Sequence, residues 1–208
     1  MNKRESYLST KFKIMLLILM LLFSAGCIEK EKVSIGGKKV LFIIAHENFR
    51  DEELFESMDV IENAGGEVFI GSTSLATAHG MKGGEAKPDI LIDDIDVKQY
   101  DAIIFIGGYG AEIYFSNDTA IKIAKDAYEQ NKVIGAICIA PCILAYAGIL
   151  EQKNATVYPT TKYINILKNQ GANFIDKPLV KDGKIITASN PTVAKDFAKA
   201  IVSELSNA

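Results

Sequence analysis

Apolar positions in this chain fall into two patterns: short unbroken runs, and stretches where they recur every three or four residues. Val40-Leu41-Phe42-Ile43-Ile44-Ala45, Val68-Phe69-Ile70-Gly71, Ala102-Ile103-Ile104-Phe105-Ile106 and Val133-Ile134-Gly135-Ala136-Ile137 are of the first kind. Strands buried on both faces read this way, because no position has to meet water. Helical stripes lie between them. Leu54, Phe55, Met58 and Ile61 precede Gly65-Gly66. A second helix is expected from an N-cap at Asn117 to about Gln130, and a third from Cys142 to Leu150. Asn190-Pro191 opens a last one, striped by Val193, Phe197, Ile201 and Leu205. Later strands are expected at Ala155-Thr156-Val157-Tyr158 and, after a Lys181-Asp182-Gly183 turn, at Lys184-Ile185-Ile186-Thr187. Residues 75–95, with Gly, Pro and alternating patches, predict a hairpin or excursion outside the main sheet. The alternation implies an α/β chain: a flavodoxin-like three-layer sandwich, its mainly parallel sheet covered by helices on both faces. Sites in such sheets form outside the carboxyl ends of the strands. The loops after Ala45, Ile106 and Ile137 would converge there.

The first residues follow neither pattern. Lys3, Arg4, Lys11 and Lys13 form a basic region, Ile14 to Phe23 is an unbroken apolar run, and Ser24-Ala25-Gly26-Cys27 follows. The run is short for a hydrocarbon core of roughly 30 Å but suits the apolar part of a secretion signal. Small residues before Cys27 resemble the lipobox of a prokaryotic lipoprotein, with Cys27 as the lipidation point and the domain tethered on the extracytoplasmic face of the membrane. An uncleaved signal anchor is the alternative. Residues 28–38 read as a charged, Gly-containing tether, and residues 39–208 as the domain proper.

Composition narrows the chemistry. Of 208 residues, 49% are hydrophobic and 24% charged, enough for one well-buried core. A net charge of -3, with no basic run beyond the leader, argues against nucleic acid as a partner. Apart from Cys27 there are two cysteines, Cys138 and Cys142, and the chain has two histidines, His46 and His79. Their spacing matches no zinc site and suits a disulfide poorly. No metal and no cofactor is called for.

The segment Lys132 to Pro141 carries the most chemistry. A strand ends in Cys138, small residues flank it, and a helix follows. This is the pattern of a nucleophile elbow, which holds one side chain strained and exposed at the sheet edge. The adjoining helix N-terminus would favour thiolate over thiol. The alternative is a small core hydrophobe, the usual fate of a free cysteine.

With that elbow, Phe105-Ile106-Gly107-Gly108 after the third strand, and Phe49-Arg50-Asp51-Glu52-Glu53-Leu54 opening the first helix, the span from Lys39 to Leu205 resembles the DJ-1/PfpI superfamily. Tyr158-Pro159 and the Lys181-Asp182-Gly183 turn also have family counterparts. The resemblance implies a cysteine-dependent hydrolase or a glyoxalase- or deglycase-like enzyme acting on a small carbonyl or peptide substrate. It also implies a homo-oligomer. Cys138 falls on the family nucleophile. Glu53 falls on the glutamate that hydrogen-bonds it as a protonated acid. The backbone N–H groups of Gly108 and Ile139 fall on the oxyanion hole. A redox-sensing or ligand-binding member without catalysis is the alternative.

The departures matter as much. Family members carry histidine after the cysteine or before a later proline; this chain has Ile139 and Tyr158 there. Amide cleavage needs an acid to protonate the leaving group, whereas addition to an aldehyde expels nothing. His46, in the loop after the first strand, is a candidate replacement base, against an exposed loop histidine as the plainer reading. His79 reads as part of a turn. Tyr158 is a candidate hydrogen-bond donor to ligand, against a half-buried strand aromatic; Gly107 and Tyr109 are candidates for the same pocket, and Tyr109 to Glu112 would shape its rim or form a plain glycine-rich turn. Cys142 reads as a core residue.

Overall fold

The computed structural model describes residues 33–207. The segment expected to be a signal or anchor, with Cys27 as its lipidation point, lies outside the described residues. Among these residues no helix is long and apolar enough to cross a membrane.

The apolar runs form one seven-stranded sheet in the order β11-β12-β8-β7-β1-β3-β6. Its members are β1 (Lys39–Ile43), β3 (Glu67–Ser72), β6 (Ile90–Leu91), β7 (Ala102–Phe105), β8 (Val133–Ile137), β11 (Leu179–Asp182) and β12 (Ile185–Ala188). All neighbours are parallel except the β11–β12 hairpin. The central strands β1, β7 and β8 are buried almost throughout, as unbroken apolar runs require.

Two groups of helices cover the sheet. Helix α1 (Asp51–Asn63) packs along the C-terminal helix α5 (Ala194–Ser206), which lies over β8 and β12. Gly135 marks the contact: a Cβ there would lie 2.8 Å from the Phe197 ring. Helices α2 (Asp118–Glu129), α3 (Pro141–Tyr146) and α4 (Thr161–Asn169) form the second group. Asn117 caps α2 by accepting the Ala120 N–H at 2.8 Å, and Asn190 accepts the Thr192 N–H before α5.

Four expectations change in detail. Within residues 75–95, β4 (Ala78–Gly80) and β5 (Glu85–Ala86) form the hairpin outside the main sheet and pair there with β2 (Glu47–Phe49). β6 returns to the edge of the main sheet. The run Ala155 to Tyr158 is no sheet strand. Only β9 (Asn154–Ala155) is extended pairing, with β10 (Asn173–Phe174), and the chain then crosses the end of the sheet. There the Tyr158 N–H donates to the Cys138 carbonyl at 2.7 Å. Helix α3 stops at Tyr146, before the left-handed Gly148. The packed domain also begins earlier than residue 39. Ile35 is buried, and its N–H donates to the Ala64 carbonyl at 2.9 Å, so packing begins ahead of β1.

Candidate active site at the carboxyl edge of the sheet

Cys138 directly follows β8 and has φ 61°, in the left-handed region. For a cysteine this conformation is strained by roughly 1–2 kcal/mol. It persists because both backbone groups are tied down. The N–H donates to the Ala188 carbonyl at 2.9 Å, and the carbonyl receives Tyr158. Pro141, with its φ pre-set, then starts the helix. The result is the expected elbow.

The side chain is 8% exposed, at a cavity of ≈ 610 Å³. The N–H groups of Gly108 and Ile139 both reach the sulfur. Gly108 has φ 92°, and a Cβ there would lie 2.4 Å from the Asn48 carbonyl oxygen, so only glycine brings this N–H so close. Gly107 is as tightly held: a Cβ would sit 2.7 Å from that of Cys138.

Glu53 lies behind the cysteine, fully buried. Its Oε2 accepts the Gly107 N–H at 2.9 Å. Its Oε1 has no aligned partner, yet the carboxyl group is within reach of the thiol. Burial raises its pKa from 4.5 to about 8, against the opposing pull of the Gly107 N–H, the thiol and Arg50. At neutral pH the group is therefore a protonated acid, and Oε1–H facing sulfur would satisfy its orphaned oxygen.

The thiol departs from expectation. Burial first, then the Glu53 charge should that acid ionise, push the Cys138 pKa up, outweighing the N–H groups that favour thiolate. Desolvation wins over the short helix α3. Cys142 is also free and buried, and burial pushes it up to about 12.

The acidic run that opens α1 serves three different ends. Asp51 accepts the N–H groups of Lys82 at 2.8 Å and Gly84 at 2.7 Å, pinning the loop that carries Met81 to the cavity. Glu52 accepts from Arg50 Nη2 at 3.0 Å. Glu53 alone turns inward. Compensation of the helix dipole does not account for a fully buried carboxyl group.

Tyr158, Tyr109, Gly108 and Ile139 line the cavity with Cys138, and Tyr109 is 73% exposed at its rim. His46 is not among the lining residues. Its Nε2 lies 3.6 Å from the neighbouring Glu47, and its carbonyl accepts the His79 N–H. The loop that was to deliver a base instead joins β2 and β4 outside the main sheet. His79 is exposed beside Glu85, but it sits in strand β4, paired with Glu47 and Glu85, and not in the expected turn, which begins at Met81. Among the described residues no cluster of ligating side chains suits a metal.

Sequence reasoning missed Arg50, Lys162 and Tyr163 in the lining. The last two open α4, brought to the cavity by the chain that crosses the sheet end. The Tyr163 hydroxyl donates to Glu112 Oε1 at 2.6 Å, and Lys162 Nζ lies 2.5 Å from the same oxygen. Placing Lys162 and Tyr163 just past Tyr158-Pro159 was the available signal.

The DJ-1/PfpI family profile matches residues 38–204, most of the chain and all of the sheet. The chain belongs to the DJ-1/PfpI family. Among its relatives, an uncharacterized protein of Methanocaldococcus jannaschii is 40% identical over 191 residues, covering 90% of this chain and 93% of that one. A deglycase of Pyrococcus horikoshii is 33% identical over 153 residues, 74% of this chain and 90% of its own. Of solved structures, the ThiJ/PfpI domain protein from Brachyspira murdochii superposes with TM-score 0.78 at 32% identity, covering 83% of this chain and 99% of that one. This agrees with a DJ-1/PfpI sandwich carrying its elbow after β8.

Proposed function

We propose that this DJ-1/PfpI member is a cysteine-dependent enzyme acting on a small carbonyl compound, with Cys138 and Glu53 as its reacting pair. One observation carries the reading: a strained, left-handed cysteine beside a cavity, backed by the fully buried carboxyl group of Glu53. The name deglycase on a relative agrees with it.

In the first step sulfur bonds to the carbonyl carbon and the C=O π bond breaks. The thiol proton ends on the new hydroxyl oxygen, giving a thiohemiacetal with no co-reactant. Glu53 relays that proton, giving its own to oxygen as it takes the one on sulfur. This lets a thiol with a raised pKa add without standing as a free thiolate. The Gly108 and Ile139 N–H groups stabilise the oxyanion in passing, each worth about 3 kcal/mol in comparable sites. Neither Ile139 nor Tyr158 supplies a histidine, so chemistry that expels an amine is disfavoured.

The test is consumption of small aldehydes by the full chain, followed by the loss of free carbonyl. Cys138→Ala should reduce it to background. Consumption that survives in this variant overturns the reading. Oxidation of Cys138 by mild peroxide, with no carbonyl consumed, favours the redox-sensing alternative.

A further inference from the structure

The charged residues that line the cavity beside Cys138 have one sign. They are Arg50 and Lys162, and no carboxylate is among the lining residues. The two cations come from separate elements, Arg50 from the N-cap of α1 and Lys162 from the first turn of α4. Each is paired with an acid outside the lining. Arg50 Nη2 donates to Glu52, and its Nε lies 2.8 Å from the same carboxylate without the alignment of a hydrogen bond. Lys162 is held by Glu112 Oε1, the atom that also receives Tyr163.

Neither pairing uses up its cation. An ammonium has three donors and a guanidinium five. Glu112 engages one N–H of Lys162, and Glu52 one aligned N–H of Arg50. These pairings fix where the heads lie and leave donors for a ligand. Glu112 is held below its ordinary pKa by Lys162 and Tyr163, so it stays a fixed anion and is no proton acceptor for the reaction. At the inner end of the site, Glu53 and Cys138 are both protonated at neutral pH and add no negative charge.

We propose that this site selects carbonyl compounds bearing their own anionic group, a carboxylate or a phosphate, with Lys162 as the principal binding cation and Arg50 as the second. The inference rests on the carbonyl reading of the same site. It names a feature of the substrate which that reading leaves open. A neutral aldehyde of equal size would find the same sulfur and the same N–H groups but nothing to hold its far end.

A probe that needs no turnover tests it. Iodoacetate and iodoacetamide alkylate the same thiolate and have similar size, but only iodoacetate is an anion. The ratio of their rates at Cys138, read by peptide mass spectrometry on the full chain and normalised to glutathione, cancels the thiol pKa. The ratio should exceed that of glutathione and fall about fivefold in Lys162→Met, the scale of one partly exposed charge contact. It should fall less in Arg50→Met, hold in Lys162→Arg, and rise in Glu112→Gln, where the neutralising acid is gone. High salt should compress it. A wild-type ratio equal to that of glutathione, or one that Lys162→Met leaves unchanged, overturns the inference even if aldehydes are consumed.

Turnover then separates the two anions. Glyoxylate and glycolaldehyde phosphate, each compared with neutral glycolaldehyde, should lose their kcat/KM advantage in Lys162→Met. The anion preferred by wild type identifies the group. If no aldehyde is consumed, the carbonyl reading fails, and the alkylation ratio still decides whether the cavity favours anions.

Discussion

Strand β8 has a left-handed residue just outside each end, and the two ends differ. Before it, Asn131 has φ 55° in an exposed turn, its N–H bonded to the Tyr128 carbonyl. After it, Cys138 has φ 61°, buried and clamped between β12 and the crossing chain. Asparagine tolerates this conformation, since its short polar side chain bonds locally. Cysteine has no such help. At the amino end residue type and turn agree, so the backbone costs little. At the carboxyl end they disagree, and surrounding hydrogen bonds hold the conflict in place. Strain that the local chain does not need, at the edge of the sheet where ligands bind, is what distinguishes a site from a turn.

The contrast is sharpest in its pH dependence. Glu53 titrates at about 8 when folded and near 4.5 in the unfolded chain. The folded state therefore holds the proton more tightly, and stability falls as pH rises from about 4.5 to 8, levelling off beyond. The full swing is of the order of 5 kcal/mol by linkage. Thermal unfolding across this window should show the slope in wild type and much less of it in Glu53→Gln. An unchanged slope in the variant assigns it to other groups.

A smaller effect comes from crowding the carboxyl end. Gly107→Ala would place a Cβ 2.7 Å from Cys138 Cβ and 2.8 Å from both Glu53 Oε2 and the Ile137 carbonyl oxygen. We expect a loss of about 2–3 kcal/mol in urea unfolding together with loss of Cys138 reactivity. Lys132→Ala, at the exposed amino end, should change stability by about 0.5 kcal/mol or less. Equal effects at the two ends would erase the distinction.

The smallest effect isolates the strain. At position 138, glycine should be more stable than alanine by about 1 kcal/mol, because only glycine accepts the left-handed φ without penalty. At position 131, Asn131→Gly should stay within about 0.5 kcal/mol of wild type. Paired urea titrations measure both. If alanine at 138 matches glycine, the elbow relaxes once sulfur is removed.

How much of this was legible follows from the range of each interaction. Unbroken apolar runs alternating with helical stripes determined the sandwich, because burial on two faces or on one dictates periods that the chain displays directly. The elbow was legible for the same reason: strand end, cysteine, small residues and proline are neighbours in sequence. With the family motifs beside it, the Cys138–Glu53 pair could be named in advance as well. Its thiol was misjudged, because desolvation depends on everything packed around the sulfur and outweighed the helix end that sequence shows.

Contacts between distant segments were decided by the tertiary structure alone. His46 sits one residue past a buried run, yet pairing of β2 with β4 carries its loop away from the cavity. Lys162 and Arg50 are 112 positions apart and meet at one cavity because the chain after β9 crosses the sheet end. The sequence by itself determined the layers and the elbow, set by local pattern and side-chain chemistry, whereas Glu53 meets Cys138, 85 positions away, only in the folded chain. Protonation state, the vacancy left by His46 and the cationic wall depended on long-range packing, where solvent exclusion and charge proximity arise only once the chain has closed on itself.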